Sequence, residues 1–218
     1  MIDHLNLTRI LEYLPGIILG LTVHEASHAY VAQLCGDTTS KEQGRVSLNP
    51  LRHIDLLGFI MLIVAGFGWA KPVQFNELNL KNPRKDVIRI SLAGPGSNAL
   101  LAILLSLTYT VVMHFFPGYH NRTMLTVDNI FMYAIYINWG LFVFNLIPIP
   151  PLDGSHLLLT YFRRFPALYA GFYRYGSYFF FGIILVMVVT GINLLPIMPA
   201  VQFLGNGVLS LFGSMFGG

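Results

Sequence analysis

His24, Glu25 and His28 stand in the run H-E-A-S-H, inside an otherwise apolar stretch. On a helix, residues four apart lie one turn apart on the same face. Two neutral imidazoles so placed can bind one zinc ion, and Glu25, one position on from His24, is near enough to take a proton from a zinc-bound water. Zinc lowers the pKa of that water and the glutamate acts as general base, which is the pattern of a metalloprotease. Ionisable groups inside an apolar helix are costly to keep in lipid, so a functional role is the default. The competing role is pairing within a bundle interior, or lining an ion path.

A catalytic zinc site wants three protein ligands and one open position. His4, Asp37, Glu42, Glu77, Asp86 and Asp128 read as loop or interface residues. Asp153 differs, because it follows a segment broken by Pro148, Pro150 and Pro151, opens an apolar helix and has Gly154 beside it. Broken helices in membranes occur where backbone lines a cavity, and glycine permits close approach to a ligand. Asp153 is therefore the candidate third ligand, with a helix N-cap as its competing role.

The elements that must position these residues are membrane helices. Of 218 residues, 55% are hydrophobic and 11% charged, less than half the share of about 25% usual in soluble domains. The net charge of +3 comes from scattered Lys and Arg with no basic stripe, which argues against nucleic acid and for charges at helix ends facing lipid headgroups. The single cysteine, Cys35, excludes a disulfide within the chain and a cysteine metal cluster, and its apolar surroundings imply a buried, inert thiol. The N-terminus has no basic region with a small-residue cleavage site, so the first apolar helix is expected to act as its own membrane signal.

Spanning or near-spanning helices are expected at about residues 10–34, 87–116, 129–146 and 178–194, with a short helix after Asp153. Residues 54–70 are apolar but short, and either span thinly or re-enter. The tail from Val201 to Phe216 is an extra helix or an interfacial segment. The expected fold is an all-α polytopic membrane protein of four to six transmembrane helices, with short membrane-associated β-strands near Arg45 to Leu48 and Val73 to Leu80. Positive charge in residues 37–53, 71–89 and 163–174 leaves orientation open, because only a re-entrant 54–70 lets the first two share a side.

Three motifs in order resemble the site-2 protease family of intramembrane zinc metalloproteases, in its compact prokaryotic form without PDZ or CBS domains. They are HEASH at 24–28, GPGSN at 94–98 and NLIPIPPLDG at 145–154; GRVSLNPLRHID at 44–55 is similar as well. The resemblance covers about residues 15–165, within a single domain of residues 1–218 whose extra C-terminal helices occupy about 172–216. It implies that His24, His28 and Asp153 ligate one Zn2+, that Glu25 activates the water, and that Asn98 and Asn145 position substrate or support the oxyanion. Interhelical hydrogen bonding is the competing role for both asparagines. Pro95 and Gly96 would shape their helix.

The substrate implied is a transmembrane protein or peptide, cut in or near its span in a bacterial or archaeal plasma membrane, with lipids around the enzyme. A zinc membrane hydrolase of another substrate class and a metal or proton transporter are the rival functions. His53 and Asp55 would order a loop or touch substrate, His156 would support a ligand or face the core, and His114 and His120 would be interfacial. The run from Val73 could clamp an extended substrate by edge pairing.

Overall fold

The computed structural model describes residues 7–65, 68–116 and 122–216; His4 and His120 lie outside them. In chain order the helices are α1 (Leu7–Leu34), α2 (Thr39–Glu42), α3 (Leu56–Ala65), α4 (Pro83–Phe115), α5 (Arg122–Asn145), α6 (Ser155–Phe162), α7 (Pro166–Thr190) and α8 (Ile197–Met215). Helices α4, α7, α8 and the Leu125–Asn145 part of α5 are long and apolar enough to cross a membrane. Leu100, Phe179, Val188 and Phe203 point outward, a surface suited to hydrocarbon and not to water. The expected all-α polytopic fold is what forms. Its C-terminal part is more regular than the sequence suggests: the aromatic run before Tyr178 is already helical within α7, and α8 is a full helix packed on α4 and α5.

Helices α1, α4 and α5 form the heart of the bundle. Small residues let them approach. A methyl added at Gly16 would lie 2.7 Å from the Ala134 Cα of α5, and one at Gly20 would lie 2.8 Å from Asn138 Oδ1. Gly16, Gly20, His24 and His28 recur every fourth residue, so close packing and the imidazoles share one face of α1. Helix α1 ends where Gly36 adopts a φ of +109° and the Asp37 N–H bonds back to the Ala32 carbonyl.

The segment around α3 re-enters. Ten helical residues reach only about 15 Å. Ile54 and Ala70 then form an antiparallel bridge, and the Lys71 N–H donates to the His53 carbonyl at 2.8 Å. A Cβ at Gly58 would fall 2.2 Å from the Trp69 carbonyl, so glycine is needed where the return strand crosses α3. The polar stretches on either side therefore share one side of the bundle. The Arg163 guanidinium pairs with Glu77, which brings the third positive stretch to the same side.

The two expected strands do not form among the described residues. Residues 45–48 bend, and Val73 to Asn76 run extended without a sheet partner before a 3-10 turn at Glu77–Asn79. The backbone bonds of the second segment go instead to side chains of α1, α2 and the turn between them. The Ser40 hydroxyl donates to the Gln74 carbonyl, and the Asn76 N–H donates to Asp37 Oδ2. One isolated bridge replaces the ladder that alternation suggested.

Candidate metal centre

His24 and His28 project from α1 toward α4, and each has its Nδ1 occupied. His24 Nδ1 lies 2.7 Å from Asn98 Oδ1. The Asn98 amide donates to the Gly20 carbonyl and to Asn138 Oδ1, so its oxygen is left to accept. His28 Nδ1 lies 2.7 Å from the Ile90 carbonyl, which can only accept. Both Nδ1 atoms therefore carry the proton, and both Nε2 atoms present lone pairs.

Those lone pairs converge. The two Nε2 atoms are 3.0 Å apart, and Asp153 Oδ2 lies 3.1 Å from one and 3.3 Å from the other. Asp153 Oδ2 is buried and has no hydrogen-bond donor. Three acceptors facing one another at this separation repel unless a cation lies between them. Two imidazoles and a carboxylate form a donor set suited to zinc, and the residues fit the ion. Gly94 of the GPGSN run completes the cradle, because a Cβ there would stand 2.3 Å from His28 Nε2 and 2.6 Å from His24 Cε1.

Asp153 arrives on an irregular segment, residues 146–154, that folds back on the end of α5. Prolines at 148, 150 and 151 prevent the helix from continuing. The Gly154 N–H donates to the Asn145 carbonyl at 2.7 Å, and a Cβ at Gly154 would lie 2.4 Å from the Leu146 carbonyl. Helix α7 presses on this segment, with Gly176 so close to Pro150 that a Cβ would sit 2.7 Å from its ring. The Asp153 side chain does not cap α6, whose N-terminus has no side-chain cap, and turns to the histidines instead.

Glu25 is buried beside this cluster, and its Oε2 accepts the Val73 N–H at 2.9 Å. The extended strap Pro72 to Asn76 thus crosses α1 at Glu25. Asp37 anchors its far end, accepting from the Thr39 backbone and hydroxyl, the Asn76 N–H and the Asn79 amide. Burial would raise the Asp37 pKa, and these donors hold it below the ordinary carboxylate range. Burial also lowers the pKa of Arg45, against the opposing Glu25 carboxylate.

A cavity of about 690 Å³ opens over the site. His24, Glu25, His28 and Asp153 line it, with Trp69, Val73 and Phe75 on one wall and Phe144, Phe180 and Phe181 on another. Asn145 reaches the cavity; one amide N–H bonds the Leu141 carbonyl at 2.9 Å. Asn98 does not. It is fully buried, both its N–H groups are taken, and its place is behind His24, where it makes the interhelical hydrogen bonds of its competing role. His156 lines the cavity next to Phe75. His53 and Asp55 order the hairpin base, His53 Nε2 meeting the Ser47 carbonyl and Asp55 accepting the Gly58 N–H.

Four contributors escaped the sequence reading. Gly16 and Gly20 have a visible signal, the G-x-x-x-G spacing. Asn138 was read only as an interruption of its helix, and Val73 acts through its backbone, which no letter encodes.

Residues 13–170 match the profile of Peptidase family M50. The chain is 38% identical over 201 residues to YwhC of Bacillus subtilis, a candidate zinc metalloprotease, covering 92% of this chain and 90% of that one. It is 31% identical over 146 residues to the candidate zinc metalloprotease Rip2 of Mycolicibacterium smegmatis, covering 65% of this chain and 53% of the relative. With the candidate zinc metalloprotease MJ0611 of Methanocaldococcus jannaschii it shares 30% identity over 140 residues, covering 64% of each. No solved structure matches the chain.

Proposed function

Because this chain belongs to peptidase family M50, the site-2 protease family of zinc metalloproteases, we propose that it cleaves peptide bonds in or near the transmembrane segments of membrane proteins, with Glu25 as general base. The observation that carries this reading is the convergence of His24 Nε2, His28 Nε2 and Asp153 Oδ2 beside a buried Glu25, within one largely apolar cavity of a membrane bundle.

His24, His28 and Asp153 are the proposed ligands. A zinc ion held by them would supply Lewis acidity and lower the pKa of a bound water. Glu25 is anchored through Oε2 by the Val73 N–H, which leaves Oε1 to take the proton of the attacking water and pass it to the leaving amide nitrogen. Asn145 lines the cavity with a second amide N–H that can meet the developing oxyanion. The aromatic walls limit bulk water around the reacting groups.

A substrate helix must unwind before its peptide bonds are accessible. The strap offers a free edge for this, since the Val73 carbonyl and both backbone groups of Phe75 have no hydrogen-bond partner among the described residues. An extended substrate pairing there would lie beside Glu25. The positive stretches gathered on this side make it the cytoplasmic side by the positive-inside rule, in a bacterial or archaeal plasma membrane. Residues 1–218 act as one unit in this reading, since α8 packs on α4 and α5 through Val201 and Ala102.

The test is cleavage of a panel of single-span proteins by the purified protein in liposomes, compared with Glu25→Gln. Native protein should cut within the span and hold one zinc; the variant should hold zinc and lose about 10²-fold or more in rate. Equal cleavage by both would sink the base assignment, and a folded native protein without zinc would sink the ligand assignment.

A further inference from the structure

Arg45 is 4% exposed, yet no carboxylate lies within ion-pair distance of it among the described residues. Its Nη1 donates to the Arg52 carbonyl and its Nη2 to the Lys71 carbonyl, while Nε is buried without a partner. A buried guanidinium satisfied only by carbonyls is costly, so its position calls for a reason. The two carbonyls provide one. Arg52 precedes the α3 hairpin and Lys71 follows it, so one planar fork ties the entering chain to the leaving chain. The Lys71 N–H adds a bond to the His53 carbonyl at the same crossing. Two residues after Lys71, the Val73 N–H grips Glu25.

We propose that Arg45 is a positioning residue for Glu25: by locking the base of the α3 hairpin it sets where the strap emerges, and so holds the Val73 N–H against Glu25 Oε2. The inference rests on the reading of Glu25 as base. Beyond Val73 the strap is held at Gln74 by Ser40 and at Asn76 by Asp37, and before it the Lys71 carbonyl is held by Arg45 beside the Lys71–His53 backbone bond. With the Arg45 anchor released, the strap pivots on those beyond Val73, and the carboxylate loses the donor that fixes its rotamer. Lysine cannot replace the fork, because a single ammonium does not span two carbonyls in one plane.

The test uses the full chain in nanodiscs as Arg45→Lys, Arg45→Met, Val73→Pro, the Arg45→Lys/Val73→Pro double variant and Glu25→Gln. Zinc content and cleavage of the single-span protein cut fastest by the native enzyme are measured for each, and amide exchange at Val73 for those that keep that N–H. Arg45→Lys should retain zinc and accelerate Val73 exchange about tenfold or more, the sign of a lost anchor. Its kcat should fall about 10²-fold with KM nearly unchanged, the pattern of a misplaced catalytic group. Val73→Pro, which deletes the N–H itself, should cause a similar loss, and the double variant should be no worse than the poorer single one.

Losses that multiply in the double variant, unchanged Val73 exchange, or a defect confined to KM would each overturn the inference and leave Arg45 a fold staple. The exchange readout needs no substrate, and Arg45→Lys carries the test if Arg45→Met does not fold. Full activity in Glu25→Gln would instead overturn the base reading. An inactive Glu25→Gln alongside independent Arg45 and Val73 losses would overturn only the role of Arg45.

Discussion

His24 and His28 come from a helix packed on two sides, with Asn98, Asn138, Gly20 and the Ile90 carbonyl locking their ring orientation. Asp153 comes from an irregular segment tied to α5, among the described residues, only by backbone bonds, from the N–H groups of Leu146, Ile147 and Gly154, and pressed by α7 at Pro150. Their exposures follow: the side chains of His24 and His28 are 7% and 11% exposed, that of Asp153 22%. The histidine half is preorganised by buried polar bonds, each costly to break. The carboxylate half is positioned by loop packing, which gives more readily. In the proposed function, a site that admits a polypeptide gains from having its more deformable group on the less rooted side.

Substitutions that touch one half only can break this comparison. The largest effect is expected for Gly94→Ala, whose methyl would enter the space of both imidazoles. Zinc affinity, measured by chelator competition, should fall about 10²-fold or more, with activity following. Asn98→Leu comes next. It leaves His24 Nδ1 and Asn138 Oδ1 without their Asn98 partners, and should cost about 10- to 100-fold in metal affinity or activity. Its thermal midpoint should also drop, since each buried polar group left unpaired costs about 1–3 kcal/mol.

Gly176→Ala tests the other half. Overpacking against Pro150 should shift the Asp153 segment and weaken zinc binding by about tenfold, less than either change on the histidine side. A loss as large as that of Gly94→Ala would abolish the distinction. The smallest effect belongs to pH. The lowered pKa of Asp37 means that its stabilising bonds are fully present above the ordinary carboxylate range and are lost as pH falls through the depressed value. Amide exchange at Asn76 should therefore rise only in strong acid, and Asp37→Asn should show the faster exchange at neutral pH.

Much of the site was legible because its chemistry is written in letters. The four-residue spacing of His24 and His28, the ionisable groups in an apolar helix and the proline-broken approach to Asp153 each have a physical reading that needs no fold. The family resemblance added Asn98 and Asn145, and the structure divides them: Asn145 faces the cavity, while Asn98 supports His24 from behind. Within GPGSN, sequence reasoning named Gly96, which has open space around it; Gly94 is the glycine that the imidazoles require. Both carry the same letter, and only packing tells them apart. The strands failed because alternation near Val73 reflects a strap bonded to side chains, not a ladder. Orientation stayed open in the sequence because it turns on Ile54 meeting Ala70, a contact between residues far apart along the chain.

The α3 hairpin has a further consequence for depth. At about 15 Å it is about half as long as a hydrocarbon core of about 30 Å is thick. A helix arriving on that flank would meet protein along one half of its length and acyl chains along the other. Unwinding the half in lipid would expose backbone groups with nothing to bond, whereas the half beside the strap has partners waiting. In the proposed function, the length of this one short helix therefore sets the depth at which a substrate would meet the strap.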